Sequence, residues 1–183
     1  LNPVYSVNFS SSDKTYLIYK ELDKLAQEFK DIEPDFEKKA EAYLKKAGEL
    51  FHDTENVIVK KNYKHLLHFF LSLTKVPLKH GPLLFKSMWS ELEKHFDSEE
   101  VRIIFSLVAF FLGSTPFDTP AVYSLLNYTE LKHDGYWNVQ GGMYKIVEEL
   151  VRLLEEKNTI IHTNVEIVDF KTDPKGSISG FID

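Results

Sequence analysis

Few residues in this chain have the type and spacing that chemistry demands. His65 and His68 stand three apart, on one face of a helix, where they could share a metal. No carboxylate lies near them in sequence, and the plainer reading is a pair of buried or interfacial histidines. Ser114, Ser124 and His133 offer nucleophiles and a base, but no nucleophile elbow surrounds either serine. Asp118, Glu130 and Asp134 read as caps and surface charges. The eight glycines, at Gly48, Gly81, Gly113, Gly135, Gly141, Gly142, Gly176 and Gly180, are nowhere separated by a single residue. A G-x-G-x-x-G fingerprint and a P-loop are therefore both excluded. Gly141-Gly142 stands directly before an amphipathic helix. The pair is either a simple strand-to-helix turn or a place where another molecule lies close against the backbone. No catalytic acid or base and no metal ligand set can be assigned.

The elements that must position these residues are easier to read. Met143, Ile146, Val147, Leu150, Leu153 and Leu154 recur at three- and four-residue spacing, with Glu, Arg and Lys on the other faces and Asn158 as a left-handed stop. A short aromatic strand, Tyr136-Trp137-Asn138-Val139, leads into that helix, and Tyr136 and Trp137 suit either core packing or an apolar channel. Upstream, an apolar helix from Val101 to Leu112 closes at Gly113, which has no Cβ to oppose the left-handed conformation. Pro116 and Pro120 impose an extended link, the second lying in the first turn of a new helix. The chain opens with a hairpin, Tyr5, Val7 and Phe9 alternating with polar residues before a turn at residues 10–13. Helices follow over Leu22–Phe29 and from about Asp35 to Leu50. After Asn158 the period changes to two, and strands are expected at Thr159–His162, Val165–Lys171 and Ile178–Ile182. The fold class is α+β: a helix-rich domain with an N-terminal hairpin and a small C-terminal β-meander.

One stretch is chemically unlike the rest. Between Val57 and Ser90 there is no Asp or Glu, although the chain as a whole carries −6. Lys60, Lys61, Lys64, Lys75, Lys79 and Lys86 stand among Leu66, Leu67, Phe69, Phe70, Leu83, Leu84 and Trp89. That is either a core helix with basic flanks or a helix lying in a membrane interface, its lysines meeting anionic head groups at about 1 kcal/mol each. Interruptions at Lys75-Val76-Pro77 and Gly81-Pro82 leave the apolar runs too short to span a bilayer.

Composition excludes several classes. Twenty-two basic against 28 acidic residues argue against nucleic-acid binding. The absence of Cys removes disulfides, thiol nucleophiles and zinc–cysteine sites. A length of 183 residues suits one domain or one and a part. No signal peptide is visible, so a cytoplasmic location is expected. The chain starts in strand-like sequence without Met and ends within a strand, which leads us to expect a piece of something longer.

Pro116-Phe117, then Pro120-Ala121-Val122-Tyr123-Ser124-Leu125-Leu126, Gly135-Tyr136-Trp137 and Gly141-Gly142-Met143 follow one another in order. With Leu1-Asn2-Pro3-Val4-Tyr5 before them and Asn164-Val165-Glu166-Ile167 after, this series resembles the bacterial phytoene (carotenoid) desaturases, flavin-dependent members of the amine-oxidase-like superfamily. The likeness covers most of the chain and is strongest from Phe111 to Ile167. It implies an FAD-dependent enzyme that makes conjugated double bonds in an apolar polyene or isoprenoid, with residues 1–135 as a substrate-binding and membrane-contact domain. Residues 136–183 would return into the flavin domain. Val165 would pack by the adenine end of FAD and Gly141 and Gly142 near the cofactor. Trp137, Tyr136 and Phe117 would line the substrate channel. Lys60, Lys61, Lys64, Leu66, Leu67, Phe69 and Phe70 would meet an anionic membrane surface, giving a peripheral association. Without a dinucleotide fingerprint, these residues alone are expected to hold no FAD. Rival readings are a flavin oxidase of amines or retinoids on the same scaffold, and a non-catalytic lipid- or partner-binding module.

Overall fold

The computed structural model describes residues 2–182; of the motif residues above, Leu1 lies outside them. The chain divides into two compact units, Leu1–Trp137 and Asn138–Asp183.

In the first unit, strands β1 (Tyr5–Phe9) and β2 (Lys14–Ile18) form the expected antiparallel hairpin, with Val7 opposite Tyr16 and Tyr5 opposite Ile18. The alternation that predicts the hairpin also aims Tyr16 and Ile18 inward. Helix α1 (Leu22–Phe29) and the long α2 (Phe36–Thr54) follow. Each buries one stripe, Leu22, Leu25 and Phe29 on α1, and Phe36, Ala40, Tyr43, Leu44 and Ala47 on α2. α4 (Met88–Leu92), Phe96 and α5 (Glu99–Ser106) close the core from the other side. Its centre is aromatic: the rings of Phe29 and Phe36 lie 4.9 Å apart and those of Phe96 and Phe105 4.8 Å apart. A fully buried carboxylate, Glu33, accepts the Ser98 N–H at 2.7 Å and pairs with the Lys39 ammonium, so it ties the α1–α2 link to the start of α5. Ser98 caps α5 as its sequence implies, accepting from Val101 N–H at 3.3 Å.

The apolar run expected as one helix from Val101 to Leu112 is two. α5 ends at Ser106, and α6 spans Val108–Phe111. At the break the Ser106 hydroxyl bonds back to the Ile103 carbonyl and Leu107 N–H donates to Ile104 rather than to the fourth carbonyl back, tightening that turn. A 3-10 turn (Ala121–Ser124), α7 (Leu125–Tyr128) and a π-turn (Thr129–His133) complete the unit. α7 lies so close to α2 that a Cβ on Gly48 would stand 2.6 Å from the Tyr128 ring.

The second unit holds α8 (Tyr144–Glu156) and the antiparallel pair β3 (Asp169–Thr172) and β4 (Ile178–Ile182). Asn158, at φ +58°, ends α8 in the left-handed conformation its sequence calls for. The α+β class holds, but several expected strands are irregular. Tyr136–Val139 and Thr159–His162 are irregular, because among the described residues no strand pairs with them and period-two patterning without a ladder partner leaves the backbone unpaired. Residues 165–168 also lie outside β3, although the Val168 N–H donates to the Ile182 carbonyl of β4 at 2.9 Å. The C-terminal β portion is thus two strands. No described residue of this unit is buried, the α8 stripe included.

Candidate functional site

α3 (Leu66–Leu73) is apolar at six of its eight positions and buries none of its residues. It starts at His65 and stops at Thr74, before Pro77. Leu66 is 76% exposed, and Leu67, Phe70 and Leu71 all stand well clear of the core. Phe69 and Leu73 are half-buried, the Phe69 ring 5.6 Å from that of Tyr63. Gly81-Pro82, expected as a break, lies inside a 3-10 helix (Leu78–Leu84), whose one buried residue is His80 and whose ends carry the exposed Leu78, Leu84 and Phe85. Leaving such side chains in water forgoes roughly 1.5–3 kcal/mol apiece, which makes this surface the candidate for contact with another apolar phase or molecule.

The lysines around α3 divide into two sets. The Lys60 ammonium pairs with Glu55 at 2.5 Å, and Lys79 with Glu49 at 2.8 Å. Beside Lys79, His80 Nε2 lies 2.8 Å from Asp53, and this hydrogen bond, ahead of the Lys79 charge, holds the Asp53 carboxyl below its usual range. Both pairings anchor the segment to α2 and the π-turn (Glu55–Val59) after it. Lys61, Lys64, Lys75 and Lys86 pair with no carboxylate among the described residues. Of these, Lys61, Lys64 and Lys75 flank the exposed apolar helix in sequence, while Lys86 lies by the Pro120–Ala121 link. His65 and His68, their rings 5.7 Å apart, are both exposed at its start.

A second apolar surface follows α6. Phe110 and Phe111 are exposed where the helix closes at Gly113, whose φ of +68° gives the predicted left-handed turn. Phe117 stacks 5.1 Å from Trp89, which in turn carries the Arg102 guanidinium over its ring at 5.2 Å and donates from Nε1 to Glu93 at 2.9 Å. The sequence flagged Phe117 but not Phe110 and Phe111; a pair of aromatics in the last turn before a stop glycine, beyond the residues that the α5 stripe needs, is the signal that could have found them.

The expected channel residues have different surroundings. Trp137 is 86% exposed rather than packed in a core, its Nε1–H donating to the Asp134 carbonyl at 2.9 Å. Tyr136 is half-buried, its ring edge-on to Tyr5 at 5.9 Å. Glu130, expected to be a surface charge, is not one: it lies at the end of a π-turn that rolls it under Tyr136, and burial pushes its carboxyl above the usual range while the Tyr136 hydroxyl pulls weakly the other way. Nearby, Tyr43 donates its hydroxyl to Asn127 at 2.8 Å, and Asn127 donates to the Phe105 carbonyl at 3.0 Å, a buried polar seam that the sequence did not disclose.

In the second unit, Gly141 and Gly142 adopt φ of +85° and +92° before α8. A Cβ on Gly142 would meet nothing within 4 Å, so the backbone there is open to a flat ligand. Val165, in irregular chain, is about half exposed. Among the described residues no helix is long and apolar enough to cross a membrane, and no group of three or more His, Cys, Asp or Glu could hold a metal ion.

No family model matches the chain. It is, however, similar to curated enzymes over nearly its whole length. A phytoene desaturase of Phycomyces blakesleeanus is 27% identical over 174 residues, 94% of this chain and 29% of the relative. A zeta-carotene-forming phytoene desaturase of Myxococcus xanthus is 28% identical over 173 residues, 94% of this chain and 33% of the relative. A phytoene desaturase of Cercospora nicotianae is 41% identical over 73 residues, 40% of this chain and 12% of the relative. The chain therefore spans at most about a third of the length of these relatives.

Proposed function

We propose that this chain, which is related in sequence to the phytoene and carotenoid desaturases, supplies the substrate-facing and membrane-facing part of an FAD-dependent oxidoreductase that desaturates carbon–carbon bonds of an apolar polyene such as phytoene. The observation that carries this reading is the similarity over 94% of the chain to enzymes named for that substrate. Residues 1–135 would form the substrate-binding portion. Residues 136–183 would belong to the flavin-binding portion, which accords with a second unit whose apolar residues find no core among themselves.

When bound, FAD would take up the hydride equivalent removed from the saturated bond; that chemistry belongs to the cofactor. These residues fit FAD only in part. The open backbone at Gly142 and the accessible Val165 leave room for an adenine-bearing group, although the Lys145 side chain lies close over Gly141, and no glycine fingerprint stands among the 183 residues.

The polypeptide's own part is capture of an oily substrate. The exposed face of α3, led by Leu66, Leu67 and Phe70, would enter the acyl boundary, with Phe69 at its base. Lys61 and Lys64 would meet anionic head groups, joined by Lys60 once its weak surface pair with Glu55 is exchanged for lipid phosphate. Exposed Phe117 and Trp137 would offer apolar faces to the polyene, with Tyr136 fixed against Tyr5 as their support. The test is an assay of the whole protein that contains this chain, loaded with FAD and given phytoene in anionic liposomes. Appearance of a longer conjugated chromophore is expected; a flavin-loaded protein that leaves phytoene unchanged would overturn the reading.

A further inference from the structure

The chain leaves the first unit through Gly135, Tyr136 and Trp137, and an unusual set of groups holds that exit. Gly135 takes φ +73°, a left-handed conformation that favours glycine, with the flexible Lys20 side chain lying over it. The turn swings the Tyr136 ring edge-on against Tyr5 of β1, at 5.9 Å and 73°. Tyr136, Tyr5 and Glu130 come together at one small cavity. Beneath them Ile18, Leu25, Phe105 and Asn127 enclose this cavity of ≈ 10 Å³, about the size of one water. Among the described residues no strand pairs with residues 136–139.

We propose that Tyr5, Glu130 and Tyr136 form a proton-dependent latch that clips the exit segment onto the β1–β2 hairpin, closed while Glu130 is protonated and loosened when it ionises. A neutral carboxyl can sit under two phenols in an apolar floor; a carboxylate there lacks a cation and is drawn toward water. The surroundings bear this out element by element. β1 contributes the Tyr5 phenol, α2 the Tyr43 phenol, α7 the Asn127 amide and the exit segment the Tyr136 phenol, while β2, α1 and α5 contribute only Ile18, Leu25, Ile104 and Phe105. Lys20 lies at the Gly135 edge, and on the same π-turn Lys132 and His133 are exposed, His133 beside Asp134 at 2.9 Å. The phenols stay protonated, since burial first pushes both upward, followed by the Glu130 charge at Tyr5 and by the Tyr5 charge ahead of Glu130 at Tyr136.

The direction follows from proton counting. Burial raises Glu130 above its ordinary 4.5, so the closed latch binds more protons than the open one. Closure is fully favoured below the ordinary value and weakens as pH rises through the raised one. The latch is a property of the first unit and stands whether or not the redox reading holds.

The experiment follows amide exchange of Asp134 and Gly135, both of whose N–H groups donate to the Thr129 carbonyl at 2.8 and 3.0 Å, in the intact protein, corrected for intrinsic rates. Protection is expected to fall with rising pH by up to about tenfold per unit, the limit for one linked proton. Glu130→Gln should keep protection and abolish the dependence. Tyr136→Phe keeps the ring but removes the hydroxyl that favours the ionised carboxyl, and should move the midpoint to higher pH. Protection that does not vary with pH in the unmodified protein, or a midpoint that neither substitution moves, would overturn the latch.

Discussion

Helices α2 and α3 belong to the same unit, and they teach opposite lessons about apolar residues. α2 carries Lys and Glu on much of its surface, and buries nine of its 19 residues. α3 is almost wholly apolar, and buries none of its eight. A mixed stripe at helical spacing fits a protein core because the polar faces stay wet. A helix apolar on every side has no wet face to offer, so in a small domain it suits a surface that meets something other than water. Lys61, Lys64 and Lys75, which pair with no carboxylate among the described residues, flank α3 in sequence, and under the proposed function they would meet anions at its rim.

Substitutions can sharpen or break this contrast. The largest effect should come from Phe36→Ala, which removes the ring at the centre of the aromatic core and is expected to cost about 3–5 kcal/mol by denaturant unfolding. The matched change on α3, Phe70→Ala, should stay within about 0.5 kcal/mol; a cost as large as that at Phe36 would mean that α3 is core after all. Gly48→Ala tests how tightly α2 is held, since its methyl must displace the Tyr128 ring; about 1–3 kcal/mol is expected. Tyr43→Phe leaves the Asn127 carbonyl oxygen without its donor in the buried seam, and about 1–3 kcal/mol should be lost. The smallest effect concerns acid. Burial first, and the Lys46 charge after it, hold His95 below its ordinary 6.5, so its contribution is present above that value and is lost as pH falls through the lowered one. His95→Gln should flatten that part of a stability–pH curve.

Much of the first unit was legible. The hairpin, α1, α2, the Ser98 cap and the stop glycine Gly113 follow from local pattern and backbone sterics, and α8 with its Asn158 stop does too. The strands that failed, at Tyr136–Val139 and Thr159–His162, failed for one reason: a strand needs a partner, and alternation in sequence does not supply one. The split between α5 and α6 turned on a single serine hydroxyl, which periodicity does not register. Of the candidate site, the apolar character of Leu66, Leu67 and Phe70 could be read directly because it is local. Glu130 could not, because its burial arises where β1, α7 and the exit segment meet, residues far apart in the chain.

The account rests on α3 and its lysines being a surface for anionic lipid. Co-sedimentation with vesicles of anionic and of neutral composition tests this most directly, using the intact protein and its charge-reversed form, Lys60→Glu, Lys61→Glu and Lys64→Glu together. Binding to anionic vesicles that weakens with salt, and that the triple substitution abolishes, is the predicted result. A protein that fails to bind anionic vesicles at any salt concentration, or a triple variant that binds them as well as the original, would contradict it.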